Sequence, residues 1–158
     1  FMVDVITRVD SSPSLKYGSY SIHISGNLLL LFFRGTWSEK CAADYIRDVS
    51  RFRHERGLNH FASIAIISEW QLGTPEAINM VSNVIRRGAQ MGMVAQFLLA
   101  EGNNQLSLHI ARQNVEKAFP GAITGASLDE FLPALNNHSI HFDEQRVRNI
   151  LAANGRCD

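Results

Sequence analysis

The side chains best suited to catalysis or metal binding are six histidines and the cysteine at position 41. His138, His141 and Asp143 are an incomplete set of metal ligands, because no further cysteine or carboxylate follows at zinc-site spacing. The pattern favours solvated loop histidines. Cys41 falls on the apolar face of a predicted helix, which favours a core position over a reactive thiolate. With no glycine-rich phosphate loop or nucleophile elbow in the chain, the sequence predicts no catalytic residue, metal or cofactor.

A second group of polar residues follows the ends of predicted strands. Ligands of open α/β sheets bind outside the carboxyl ends of the strands, so the connections 35–37, 68–74 and 101–104 should meet there. The ring of Trp70 either folds back on the core, which is favoured, or stays exposed for a partner. The predicted contact residues for a partner or ligand are Gly35, Thr36, Trp37, Ser68, Glu69, Trp70, Gln71 and Thr74.

Hydrophobic periodicity predicts the strands that position these residues. Segment 20–25 alternates apolar and polar residues, as in a strand with one solvent-exposed face, and His23 is expected at solvent or against an adjoining helix. Gly26-Asn27 predicts a hairpin turn. Buried strands are predicted at the apolar runs 28–33, 61–67 and 93–100, with a short edge strand at 122–125.

Capping residues predict where the helices begin. Thr36 with Glu39, and Ser127 with Glu130, have the spacing of capping boxes, and Thr74 precedes a helix-starting proline. The alternation of strands and helices indicates a mixed α/β fold. We expect a mostly parallel four- or five-stranded sheet with an N-terminal antiparallel hairpin, helices packed on it and an extra C-terminal helix. The expected organisation is an N-terminal extension at 1–16, an α/β domain at 17–137 and a C-terminal helical extension at 138–158.

This element order resembles that of STAS domains, and more closely the SpoIIAA-like branch that is compared with lipid-binding CRAL-TRIO domains. The resemblance covers most of residues 17–137 and includes the opening hairpin, the helix start at Gly35-Thr36-Trp37 and the closing segment 126–135. Anti-sigma-factor antagonists of the family carry Asp-Ser at the start of the helix after the third strand, and the serine is phosphorylated. Gly73 and Thr74 stand there in this chain, so the resemblance implies Thr74 as a candidate phosphorylation site, whereas the residue type alone favours a helix cap.

Charge and composition limit the partners. Fifteen Lys and Arg balance fifteen Asp and Glu, which argues against nucleic-acid binding, because such proteins usually carry a basic excess. A basic stripe on the first predicted helix could meet an acidic partner or anionic lipid headgroups, but pairing with Asp44 and Asp48 favours an ordinary solvated face. This stripe consists of Lys40, Arg47, Arg51 and His54.

The cell location and assembly follow from simpler features. The longest apolar run is far shorter than the roughly 20 residues of a transmembrane helix, and cysteine usage fits a reducing compartment. We therefore expect a cytoplasmic protein with no transmembrane segment, for which peripheral membrane contact is one alternative. The apolar stripe of the helix at 143–154 lies outside the family-like core, which favours a homodimer.

These features predict a non-enzymatic regulatory or protein-interaction module of STAS-like type. The alternative is a carrier of a small apolar ligand or lipid in a pocket beneath the helices, as the CRAL-TRIO comparison implies. A small hydrolase or transferase with no recognisable motif is the second alternative. The lack of catalytic motifs favours the first hypothesis, and its partner surface is predicted at the connection 68–74 and the start of the following helix.

Overall fold

A mixed sheet of six described strands forms the centre of the fold. The computed structural model describes residues 5–9, 18–101 and 105–156. The strands are β1 (Val5–Val9), β2 (Ser19–Ser25), β3 (Leu28–Trp37), β4 (Phe61–Gly73), β5 (Met93–Leu99) and β6 (Ile123–Gly125), and they lie side by side in chain order. β1, β2 and β3 pair antiparallel, and β3 to β6 pair parallel. The predicted fold class is confirmed, and β1 adds an edge strand from the segment expected as an extension.

Helices cover both faces of this sheet. One face packs against α1 (Glu39–Arg56), α2 (Pro75–Gln90) and α3 (Gln105–Ala118), and the other packs against a 3-10 turn (Leu128–Glu130), α4 (Leu132–Asn137) and α5 (Glu144–Ala152). Successive residues of a strand point to opposite faces, so β3 contributes to two apolar cores. Leu29, Leu31 and Phe33 belong to the core beneath α1–α3, and Leu28, Leu30 and Phe32 to the core beneath α4 and α5.

Three polar residues of β2 are buried, so the predicted solvent-exposed face of this strand is wrong. Ser21, His23 and Ser25 are all covered. The hydroxyl of Ser21 donates to the carbonyl of Gly155 at 3.3 Å, and Nε2 of His23 lies 3.0 Å from the same oxygen. Backbone groups from the C-terminal segment therefore take the place of water on this side of the strand, where they bind the Ser21 hydroxyl and Nε2 of His23.

α5 closes the second core. Val147 is completely buried, and Ile150 and Leu151 pack against the same cluster. The expectation that this apolar stripe lies outside the core is therefore wrong, because the stripe faces the sheet of its own chain. The argument for a homodimer that rested on an uncovered stripe is removed with it.

The start of α1 differs from the prediction in one detail. β3 continues through Trp37, and the helix is capped by Ser38, whose hydroxyl accepts a hydrogen bond from the amide of Cys41 at 3.2 Å. Thr36 instead donates to Oε1 of Gln71 across the strand pair at 3.2 Å. The cap moves because the sheet retains Thr36 in extended conformation. The cap at Thr74 and the capping box at Ser127 are confirmed.

No helix within the described ranges is both long and apolar enough to cross a membrane.

Candidate functional site

The predicted contact segment 68–73 is a continuation of β4 rather than a loop. Glu69 pairs with Arg34, Trp70 with Gly35 and Gly73 with Trp37, with irregularities in register between these pairs. Residues 68–73 lack the residue types typical of a strand, but their backbone pairs with β3. Backbone pairing with β3 was therefore decisive, and the polar sequence Ser68 to Gln71 gave no sign of it.

The two tryptophans lie inside the core beneath α1. Trp70 is 6% exposed, and its ring centroid lies 5.1 Å from that of Phe33 and 5.7 Å from that of Trp37. Trp37 is fully buried, and its Nε1 donates to the carbonyls of Ser19 and Arg34, each at 3.2 Å. Folding back on the core is thus the outcome for Trp70, and an exposed tryptophan as the basis of a contact surface is wrong.

The polar members of the predicted set bind other parts of the chain. Glu69 accepts hydrogen bonds from the side chain of Asn154 and from Arg156, the latter at 3.2 Å. The hydroxyl of Ser68 accepts from the amide of Glu101 at 2.9 Å, which brings Ser68 of β4 beside the residues that follow β5, as predicted. Residues 102–104 lie outside the described residues. Ser68 and Glu69 therefore hold the fold together at this end of the sheet.

An open groove lies beside the remaining predicted residue, Thr74. Its volume is about 610 Å³, and it runs between the end of β4, the first turn of α2 and the side of α3. Leu72, Ile78 and Ile110 give it apolar walls, and Glu76, Asn79 and Asn114 give it polar ones. We call this surface the α2–α3 groove. It combines apolar area with a few polar groups, as binding sites do.

Local sequence chemistry sets the position of the groove. The hydroxyl of Thr74 accepts from the amide of Ala77 at 3.1 Å, and Pro75 occupies the first turn of α2. Leu72 adopts a left-handed backbone with φ of 67°, which is uncommon for a residue other than glycine. The chain therefore turns sharply from β4 into α2 and leaves the side of α3 uncovered.

Sequence reasoning missed the groove residues of α3. The core-facing residues of this helix, Ala111 and Val115, are buried as expected. Ile110 and Asn114 line the groove, and they lie four residues apart, so they share another side of the helix. Leu106, which is 69% exposed, lies four residues before Ile110, and these two apolar residues outside the predicted core face were the available signal.

Two spaces beneath the helices are small. One, lined by Phe33, Trp70 and Val81 among others, has a volume of about 30 Å³, and a second near Arg53 and Phe61 has about 20 Å³. A single water needs about 10–15 Å³ measured in this way. These two spaces have room for a water or two each, and neither accommodates a lipid chain.

Two arginines of the basic stripe on α1 form ion pairs within the helix. Arg47 lies 3.0 Å from Asp44 and 3.4 Å from Asp48, and Arg51 lies 3.3 Å from Asp48. The predicted local pairing is therefore confirmed for Arg47 and Arg51. Among the residues that the structure describes, no group of three or more histidine, cysteine, aspartate or glutamate side chains is placed to hold a metal ion.

Comparison with known proteins supports the fold and goes no further. No protein-family model matches the chain, and no curated protein matches its sequence. The structure is similar to the NMR structure of the protein TM1081, with a TM-score of 0.56, 11% sequence identity, and coverage of 73% of this chain and 86% of that chain. At this identity, the similarity shows a shared fold alone.

Proposed function

We propose that this chain is a non-enzymatic, STAS-like protein-interaction module that binds its partner at the α2–α3 groove. The observation that carries the proposal is the groove itself, which is open, has a volume of about 610 Å³ and apolar walls, and lies at the start of α2. It adjoins Thr74, the end of the connection that the sequence predicted as the contact surface. A groove between two helices is a common way to take up an apolar segment of another protein.

The residues of the groove favour binding over catalysis. Glu76 is the one carboxylate among the lining residues, and no histidine, cysteine or serine lines the groove with it. A nucleophile or a general acid–base pair would need at least one such partner within hydrogen-bond reach. The alternative of a lipid carrier gains no support from the spaces of about 30 and 20 Å³ beneath the helices.

Thr74 connects the proposal with the family resemblance. In STAS-type antagonists the corresponding serine is the phosphorylation switch, and Thr74 stands at the start of α2 beside the groove. Its hydroxyl is engaged as the helix cap, so phosphorylation would replace a neutral cap by a charged one at the positive end of the helix. We include Thr74 as a candidate regulatory position of the proposed contact surface.

The test uses the substitution Asn79→Arg. Asn79 is exposed on α2 and lines the groove, so a long cationic side chain should obstruct a docked partner. Affinity purification of cross-linked wild-type protein from the cells that produce it, with quantitative mass spectrometry, identifies the retained proteins. We expect Asn79→Arg to reduce retention of the true partner about tenfold or more, as substitutions at the centre of an interface do.

Asn83→Arg is the matched control, because Asn83 is exposed one turn further along α2 and does not line the groove. It should retain the partner at the wild-type level, and both variants should keep the wild-type circular dichroism spectrum. Equal retention by the two variants, or a wild-type protein that retains no other protein, would contradict the proposal.

A further inference from the structure

Arg53 of α1 carries a guanidinium group in which two of the three nitrogens are buried without a hydrogen-bond partner. Its side chain is 5% exposed, and neither Nε nor Nη2 has a hydrogen-bond partner. The guanidinium carbon lies 5.9 Å from the ring centroid of Phe61. Buried charges in proteins are normally paired, because burial removes the stabilising hydration of the ion. This guanidinium therefore lacks the counter-charge that its surroundings require.

The space beside Arg53 lies among side chains from the sheet, α1 and α2. Its volume is about 20 Å³, and its lining includes Tyr45, Phe61 and Val84 but no aspartate or glutamate. Gly88 of α2 lies against this group, since a Cβ atom at that position would lie 2.9 Å from Nη1 of Arg53. The glycine thus makes room for the guanidinium at the junction of α1 and α2.

The electrostatic surroundings of this group are positive. Burial lowers the pKa of Arg53, the neighbouring Tyr45 raises it, and Arg87 of α2 lowers it again. Burial also raises the pKa of the Tyr45 hydroxyl, so Tyr45 stays neutral and supplies no negative charge at neutral pH. Two positive side chains therefore act on a small space that contains no acidic side chain.

We propose that this space is a binding site for a monatomic anion, with chloride as the physiological ligand and the unpaired N–H groups of Arg53 as its donors. The volume selects the class of ligand. About 20 Å³ accommodates one water-sized occupant, whereas a carboxylate or a phosphate has several heavy atoms. A water would accept a hydrogen bond but would not neutralise the guanidinium charge. A halide ion both accepts hydrogen bonds and carries the opposite charge.

Solution measurements test the site on the intact protein. Thermal unfolding is followed in sodium chloride and in sodium gluconate at equal ionic strength. A tenfold excess of chloride over its dissociation constant favours the folded state about elevenfold, which raises the unfolding midpoint by about 3 to 5 °C. Arg53→Met retains an unbranched apolar side chain over Phe61 and should abolish the chloride-specific rise. Arg86→Met, at an exposed position of α2, should leave it unchanged.

Crystallography of the wild-type protein gives a readout that does not depend on any variant. Crystals grown in sodium bromide should show an anomalous difference peak within about 4 Å of the guanidinium group of Arg53. No peak there, or density of a water alone, would overturn the proposal. A full chloride response in Arg53→Met, or no response in wild type, would overturn it as well.

Discussion

His23 of β2 is completely buried, and its ring lies against the C-terminal segment. The carbonyl of Gly155, 3.0 Å away, can only accept, so Nε2 carries the proton and Nδ1 does not. Nδ1 is buried without a partner. Burial lowers the pKa of His23, the bond to Gly155 opposes this effect, and Arg34 and Arg146 lower the pKa further. A proton on Nδ1 would therefore be both unpaired and repelled.

The stability of the protein should fall on mild acidification because of this residue. The unfolded chain takes up the His23 proton near pH 6.5, and the folded chain does so only at lower pH. As the pH falls below 6.5, the unfolded state binds more protons, and the free energy of unfolding decreases by up to about 1.4 kcal/mol per pH unit. Urea unfolding at pH 7.5, 6.5 and 5.5 should give a flatter profile for His23→Gln than for wild type.

His54→Gln is the control for this profile, because His54 is exposed on α1. Its stability should follow the wild-type pH dependence. A slope for His23→Gln equal to that of wild type between pH 6.5 and 5.5 would show that the buried imidazole does not contribute.

Residue type predicted the burial of apolar side chains better than it predicted the position of polar side chains. Cys41 was correctly placed in the core, and the burial of Trp70 followed from the size of its ring. Ser21 and His23 were expected to follow the polar side of an alternating strand, yet both are buried. Their partners come from residue 155, and a bond across such a separation leaves no local pattern in the sequence.

At the scale of elements, the strands that end at the candidate site are longer than their apolar runs. β4 was predicted at 61–67 but extends to Gly73, and β3 extends to Trp37. Each strand supplies the pairing groups for the other in these extensions. Helix starts were predicted better, because a cap depends on residues three or four positions apart, and α2 begins at Thr74 as its sequence indicates.

The cap of α2 has a measurable contribution. Thr74→Ala removes the hydroxyl that accepts from the amide of Ala77, and should lower the free energy of unfolding by about 1 kcal/mol. Thr74→Ser retains an oxygen in the same position and should stay within about 0.5 kcal/mol of wild type. Chemical denaturation followed by circular dichroism measures both. Equal stability of the two variants would show that the cap contributes nothing to the folded state.

For the whole molecule, the sheet joins two apolar cores into one structure. Trp37 and Trp70 lie in the core beneath α1–α3, while Val147 lies in the core beneath α4 and α5. β3 and β4 contribute residues to both cores. We therefore expect the two layers of helices to unfold together, as in most single domains of this size.

Val147→Ala tests this coupling across the sheet. The loss of two buried methyl groups should lower the free energy of unfolding by about 2 kcal/mol. Because both tryptophans lie on the opposite side of the sheet, their fluorescence should report the same shift in urea midpoint as circular dichroism. Gln145→Ala, at an exposed position of α5, should leave both midpoints unchanged. A fluorescence midpoint that stays fixed in Val147→Ala would identify α5 as an independently unfolding segment.

Local patterns in the sequence determined the class of this fold, the hairpin at Gly26-Asn27, the apolar strands and the capped starts of two helices. These features depend on neighbouring residues, so periodicity and residue type are sufficient to predict them. Tertiary structure alone decided that 68–73 pairs with β3, that α5 covers β2, that α2 and α3 leave a groove between them and that Arg53 is buried without a counter-charge. Each of these outcomes depends on which distant segments meet, and contacts of that kind are set by the packing of the whole chain.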